Sequence, residues 1–190
     1  MVKQTQMITD APESAVKDPN PAAAGLDPTE GEDTLVGRTV TINRPARELY
    51  DFWRDLRNLP LFMENIVSID IIDTRRSHWH VKGPANSTVE WDSVIIEDIP
   101  GEMIAWESAE GAGVPNSGRI EFVESSNGRG TMVTATIAYD PPAGALGKMV
   151  AKLFQREPKT QARRDLRRFK QLMETGEIPT SAKTFEEVTE

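Results

Sequence analysis

The sequence predicts an α+β domain: a curved antiparallel sheet of about seven strands wrapped on a long C-terminal helix, with two short helices after the first strand. Three observations predict it. Residues 77–139 alternate polar and apolar side chains in runs separated by turn signals. Those runs sort onto one aromatic-rich face. After them comes an amphipathic stretch with helical rather than strand period.

The alternation is sharpest in one hairpin. With 83–87 as its loop, Lys82 pairs with Thr88, His80 faces Glu90, His78 faces Asp92, Val81 faces Val89 and Trp79 faces Trp91. One register thus separates an apolar face from a charged one, as the two-residue period of a strand requires.

The other elements follow in chain order. Residues 1–33 are rich in Pro, Ala, Asp and Glu and have no aromatic residue, so they are expected to be a disordered acidic extension. The folded domain is expected over 34–178, and 179–190 as a C-terminal tail. A first strand is expected over 35–43. Pro45 then opens a helix near its first position, where its missing N–H is harmless, with Leu49, Phe52, Trp53 and Leu56 at helical spacing. Asn58 is a candidate cap for a second short helix. Six strands are expected at about 66–74, 77–83, 88–98, 102–108, 117–125 and 130–139. A tight turn at Pro100-Gly101 would pair Ile99 with Glu102, placing Ile104 and Trp106 on the face of Ile95, Ser93 and Trp91. A turn before Gly130 would pair Phe122 with Val133 and Ile120 with Ala135, with Ile137 and Tyr139 continuing that face. A helical region is expected over 145–175, kinked or split at Pro158 and ended by Gly176.

Composition narrows the function classes. The formal net charge is -8, but 1–34 holds seven acidic residues against Lys3 and Lys17, and 181–190 holds three glutamates against Lys183. The rest is close to neutral, so whole-chain charge says little about a substrate's sign. There is no cysteine, hence no disulfide or thiolate chemistry. No apolar run suits a signal peptide or a membrane span, and the expected location is the cytoplasm. The glycines around 111–118 are followed by no helix, which argues against a phosphate-binding loop. No motif implies a metal, nucleotide or redox cofactor.

The order strand, two short helices, six antiparallel strands and long helix is that of the helix-grip fold. Along that order lie Pro45-Ala46-Arg47-Glu48-Leu49-Tyr50-Asp51-Phe52-Trp53, Asn58-Leu59-Pro60-Leu61-Phe62-Met63, the Trp91 strand, Ile104-Ala105-Trp106, Gly130-Thr131 and Asp165-Leu166-Arg167-Arg168-Phe169-Lys170. On these residues the chain resembles the polyketide cyclase/dehydrase branch of the START-like (SRPBCC) superfamily. The resemblance spans roughly 35–178. These are mostly packing residues, so they speak for fold more than for activity. The resemblance implies a START/Bet v 1-like pocket for an apolar ligand between sheet and helix.

Four candidate sites follow. Phe62, Trp79, Trp91, Trp106, Phe122 and Tyr139, with Met149 and Leu153 from the helix, would line such a pocket; the other reading is that they simply fill the core. His78, His80, Glu90 and Asp92 have the residue types of a metal or acid–base site, but they lie opposite the tryptophans and read as a solvated face of complementary pairs. For ring closure or dehydration, inward Ser93, Thr131 and Tyr139, with Glu64 and Asn65 near an opening, form no recognisable constellation. Residues 156–170 carry seven basic residues against Glu157 and Asp165. Arg163, Arg164, Arg167 and Lys170 on one helical face suit peripheral contact with an anionic membrane surface, or a merely solvated face; no nucleic-acid motif accompanies them. The expected function is binding of a hydrophobic small molecule (lipid, quinone or polyketide-like) as its carrier or chaperone. The alternatives are a cofactor-independent cyclase/dehydratase and a ligand-free interaction or membrane-surface module that uses the basic helix.

Overall fold

The structure, a computed structural model, describes residues 34–83, 86–126, 128–139 and 158–178. The expectations for 1–33, for 140–157 with Met149 and Leu153, and for 179–190 lie outside the described residues. The elements are β1 (Thr34–Ile42), α1 (Ala46–Arg54), a 3-10 segment (Leu56–Leu61), β2 (Ile66–Ile71), β3 (Arg76–Lys82), β4 (Thr88–Ile99), β5 (Met103–Ser108), β6 (Asn116–Glu124), β7 (Thr131–Tyr139) and α2 (Pro158–Thr175). The strands form one antiparallel sheet in the order β1-β7-β6-β5-β4-β3-β2. β1 and β2 are therefore the two edges, and α1 with the 3-10 segment carries the chain from one edge to the other.

The β3–β4 hairpin has the expected register, from Arg76 opposite Val94 to Lys82 opposite Thr88. So do Phe122 with Val133 and Ile120 with Ala135. The β4–β5 pairing is right only in part. Ile95 meets Trp106 and Ser93 meets Ser108 as expected, but Ile99 meets Met103 instead of Glu102. The difference is a bulge between Ile95 and Glu97, one extra residue that adds bend and twist to the longest strand. β2 also stops short of the expected 74, because Asp73 accepts from the backbone N–H groups of Arg75 and Arg76, both at 2.8 Å, and turns the chain. The second helix is a 3-10 segment capped by Asp55, whose side chain accepts from Arg57 N at 3.3 Å; Asn58 instead donates to Phe52 O at 2.9 Å.

Five aromatic residues form the centre of the core. Trp53 lies 5.2 Å from Phe62 and 5.1 Å from Phe169 between ring centroids, and Phe62 lies 4.9 Å from Phe169. Phe122 meets Trp53 at 6.5 Å and Tyr50 at 6.1 Å, both edge-on. Ile42, Leu49, Leu59, Ile104, Ile120 and Val133 surround them, all buried. Tyr50 donates to Asp98, which also receives Arg54 Nε at 2.7 Å, so α1 is tied to the far end of β4. Burial and then Asp98 push the Tyr50 phenol up to about 12.

α2 is secured along β1. Lys170 donates to Thr41 O at 2.6 Å, Glu174 accepts from Asn43 N at 2.7 Å, and Arg44 Nε donates to Met173 O at 2.7 Å. The last contact places a cation on the helix's terminal carbonyls, where the helix dipole favours it. Pro158 stands at the first position of α2, and Gly176 ends it at φ 77°.

Gly130 packs against the end of β1. Its φ is 89°, and a Cβ there would lie 2.1 Å from Ile42 O. Gly130→Ala therefore combines left-handed strain with a backbone clash. We expect a loss on the order of 3 kcal/mol, read as a lowered urea midpoint; an unchanged midpoint would mean that the β1 backbone moves aside freely.

Candidate functional site

The inner face of the sheet is divided in two. Toward α1 and α2 it is occupied by the aromatic core. Toward β3 and β4 it carries the tryptophans. Trp79 and Trp91, directly paired across the strands, stack with centroids 6.1 Å apart and planes 12° from parallel. Both are only partly buried. Beneath them lie two fully enclosed serines: Ser77 Oγ accepts from Trp79 Nε1 at 2.9 Å, and Ser93 Oγ donates to Glu107 O at 3.1 Å.

Trp106 extends this surface to β5, also partly buried. It lies across Gly118 of β6, its register partner, where a Cβ would come within 2.6 Å of Trp106 Cζ2. Gly118 thus belongs to a strand, and its missing side chain makes room for an indole. Val114, from the β5–β6 loop, is buried against Val89 and Trp91. The loop that carries it closes against one end of the tryptophan surface.

The sequence-derived pocket residues fall into distinct groups. Trp79, Trp91 and Trp106 share the partly buried surface. Phe62 and Phe122, 0% and 3% exposed, lie in the packed core, their rings turned on Trp53, Phe169 and Tyr50. Period-two alternation assigns a face but not a position along it, so it could not separate these residues from the tryptophans. Tyr139 pairs through its backbone with Thr34 and Asn116; its side chain, like Met149 and Leu153, lies outside the described residues. Of the inward polar groups, Thr131 donates to Arg44 O at 2.8 Å, and Ser93 is committed as above. Among the described residues the inner surface therefore offers π faces and apolar walls, with its hydroxyls already engaged.

The basic stripe is partly consumed within the fold. Arg164 lies 3.6 Å from Glu64, and Lys170 holds Thr41 O and, at 3.1 Å, Glu174. Arg163 and Arg167 are exposed. Arg168, on the adjoining face, binds Glu64 and donates to Phe62 O at 2.9 Å. Asp165 belongs to this cluster, although the sequence showed it only within a motif and as one acid against the basic stretch. Burial foremost, with Glu64 adding, holds its carboxyl at about 7, although Gln161, Arg168 and Arg164 pull the other way.

The histidines take the outer face, as expected. His78 Nδ1 lies 2.6 Å from Asp92, and His80 lies between Glu90 and Asp70, at 3.2 and 3.0 Å. Asp70, from edge strand β2, was not foreseen, because β2 carried no turn signal that fixed its register on β3. Its hydrogen bond, followed by that of Glu90, raises the His80 pKa.

A carboxyl whose pKa is raised on folding binds its proton more tightly in the native state, so it favours folding most below the unfolded value. That advantage falls as pH rises toward 7 and levels off above it. Asp165→Asn cannot ionise. We expect it to raise Tm by about 2–4 °C at pH near 8 and to leave Tm unchanged near pH 4; a gain equal at both pH values would exclude desolvation of the carboxylate as the cause.

Comparison with known proteins places this geometry. The family model described as polyketide cyclase / dehydrase and lipid transport matches residues 42–167. A 17.2 kDa protein of Streptomyces lincolnensis, named as uncharacterized and lying in the melC2-rnhH intergenic region, is 26% identical over 143 residues, covering 73% of this chain and 89% of that protein. The crystal structure of DR_A0006 from Deinococcus radiodurans is 40% identical, with a TM-score of 0.63 over 76% of this chain and 100% of that one. The Zhui aromatase/cyclase from Streptomyces sp. R1128 is similar in fold, with 17% identity and a TM-score of 0.59 over 76% of this chain and 98% of that one. In the described residues no helix is long and apolar enough to cross a membrane. The fold is START/Bet v 1-like, and the chain belongs to the polyketide cyclase/dehydrase and lipid transport family.

Proposed function

We propose that the protein binds a hydrophobic small molecule, lipid-like or polycyclic, on the tryptophan half of its inner face, between sheet and C-terminal helix, and carries or shields it. Family membership supports a ligand-binding or cyclase role. One observation favours binding in particular. The core rings are packed against one another, whereas Trp79, Trp91 and Trp106 keep accessible surface on the same face. Stacked indoles offer large, rigid, apolar area, and each Å² of apolar surface removed from water stabilises the complex by roughly 25 cal/mol. The engaged hydroxyls of Ser93 and Thr131 favour carriage over chemistry.

Native mass spectrometry of the protein from its own cells, followed by organic extraction, tests this reading. A bound quinone, lipid or polyketide, released unchanged, is the expected result. Trp91→Ala should then weaken rebinding of that compound by roughly five- to thirtyfold, the effect of about 1–2 kcal/mol, measured by quenching of the remaining indole fluorescence. A compound released chemically altered would shift the reading to a cyclase or dehydratase. Empty protein that also fails to quench with quinones and fatty acids would remove the carrier reading.

A further inference from the structure

The strands that carry the tryptophans inward bring both histidines of the chain together on their outer surface. We propose that His78, His80 and Glu90 form a binding site for one divalent transition-metal ion, with zinc the best match, braced by Asp70 and Asp92.

The ring nitrogens divide between two tasks. His78 Nδ1 lies 2.6 Å from Asp92 Oδ1, and His80 Nε2 lies 3.0 Å from Asp70 Oδ2. An ionised carboxylate only accepts, so these nitrogens carry the hydrogens. In the neutral rings His78 Nε2 and His80 Nδ1 then present lone pairs. Both face Glu90, at 3.7 Å from Oε2 and 3.2 Å from Oε1. Lone pairs turned on a carboxylate repel, so the arrangement calls for positive charge at its centre. A proton on His80, shared out to Asp70 and Glu90, supplies part of it but leaves the His78 lone pair turned on Glu90 Oε2 at 3.7 Å. A single cation shared by the three donors supplies it without that repulsion.

The donor set and its spacing suit the ion. Imidazole and carboxylate are ordinary zinc ligands. The three donor atoms lie within 4.8 Å of one another. Tetrahedral zinc, with ligands at about 2.0–2.2 Å, spaces its donors about 3.4 Å apart. The Glu90 oxygens, at 3.7 and 3.2 Å from His78 Nε2 and His80 Nδ1, already lie near that spacing. His78 and His80 are two apart on one strand and so share a face, with Glu90 opposite His80 on β4 and Asp70 opposite His78 on β2. Each ligating ring also donates its other N–H to a carboxylate, the outer pairing that fixes tautomer and orientation at zinc sites. Three protein donors leave a fourth position to water.

The test uses the full chain without an affinity tag, titrated calorimetrically with zinc in a non-chelating buffer at about pH 7.5. One zinc per chain is expected, with a rise in Tm. His78→Gln and His80→Gln should each weaken it at least about tenfold, and Asp92→Asn about ten- to a hundredfold, with native circular dichroism in every variant. In the wild type, zinc should shift both histidine ring signals in NMR spectra. Absence of saturable binding below about 100 μM zinc, or binding that survives the histidine substitutions, would overturn the proposal. The site faces away from the tryptophans, so this result is independent of whether an apolar ligand binds.

Discussion

Trp53 from α1, Phe62 at the end of the 3-10 segment, Phe122 from β6 and Phe169 from α2 meet in one place. This aromatic contact joins the consecutive α1 and 3-10 segment to β6 and α2, which lie far from them in the sequence. Each such ring pair adds about 0.5–1.5 kcal/mol beyond the area it buries. Polar contacts at its margins hold it in place. Arg168 reaches back to Phe62 O, and Asp98 gathers Tyr50 and Arg54. With the helices fixed here, the rest of the inner face is defined by what the cluster does not cover, which is the surface of Trp79, Trp91 and Trp106. The candidate site is the complement of the core.

Much of this arrangement was legible in the sequence, because alternation is a strong constraint where one face is buried. A shift of one residue in the β3–β4 hairpin would have turned Trp79 and Trp91 to water and His78 and His80 inward, so a single register was tenable. The bulge after Ile95 was not legible. A bulge changes the pairing count by one without changing composition, and Ile96 looks like any other strand residue. Phe62 and Phe122 were not separable from the tryptophans for a related reason. Their burial depends on where α1 and α2 cross the sheet, a long-range fact with no local signature. Asp165 was hidden for a third reason: its neighbours are Gln161 on its own helix and Glu64 far away in the chain. A single helical turn shows only the first.

The strands β3 and β4 serve two chemistries at once. Their inward side chains form an apolar, π-rich wall, and their outward ones a compact set of imidazoles and carboxylates. Because successive side chains point to opposite faces, neither set can be altered in register without the other. Single substitutions, by contrast, act on one face alone. Gly118 shows how narrow the inner geometry is: the room for the Trp106 indole depends on one absent methyl group. The position of a ring that lines the site is thus set from the strand beside it, by a residue with no side chain of its own.

The pairing of Thr34 with Tyr139 also constrains the order in which the chain can assemble. Among the described residues β1 is the first strand in the chain, yet its neighbour in the sheet is the last. It must stay unpaired while the intervening strands are made and form their local hairpins. Closing that long loop is costly before it is rewarded, as in any topology rich in distant contacts. The meander from β2 to β7 has no such wait, since each of its strands pairs with the next. Until β1 docks, β7 presents a bare edge that could template another chain. β1 is thus placed as a latch, whose docking closes the longest loop in the sheet.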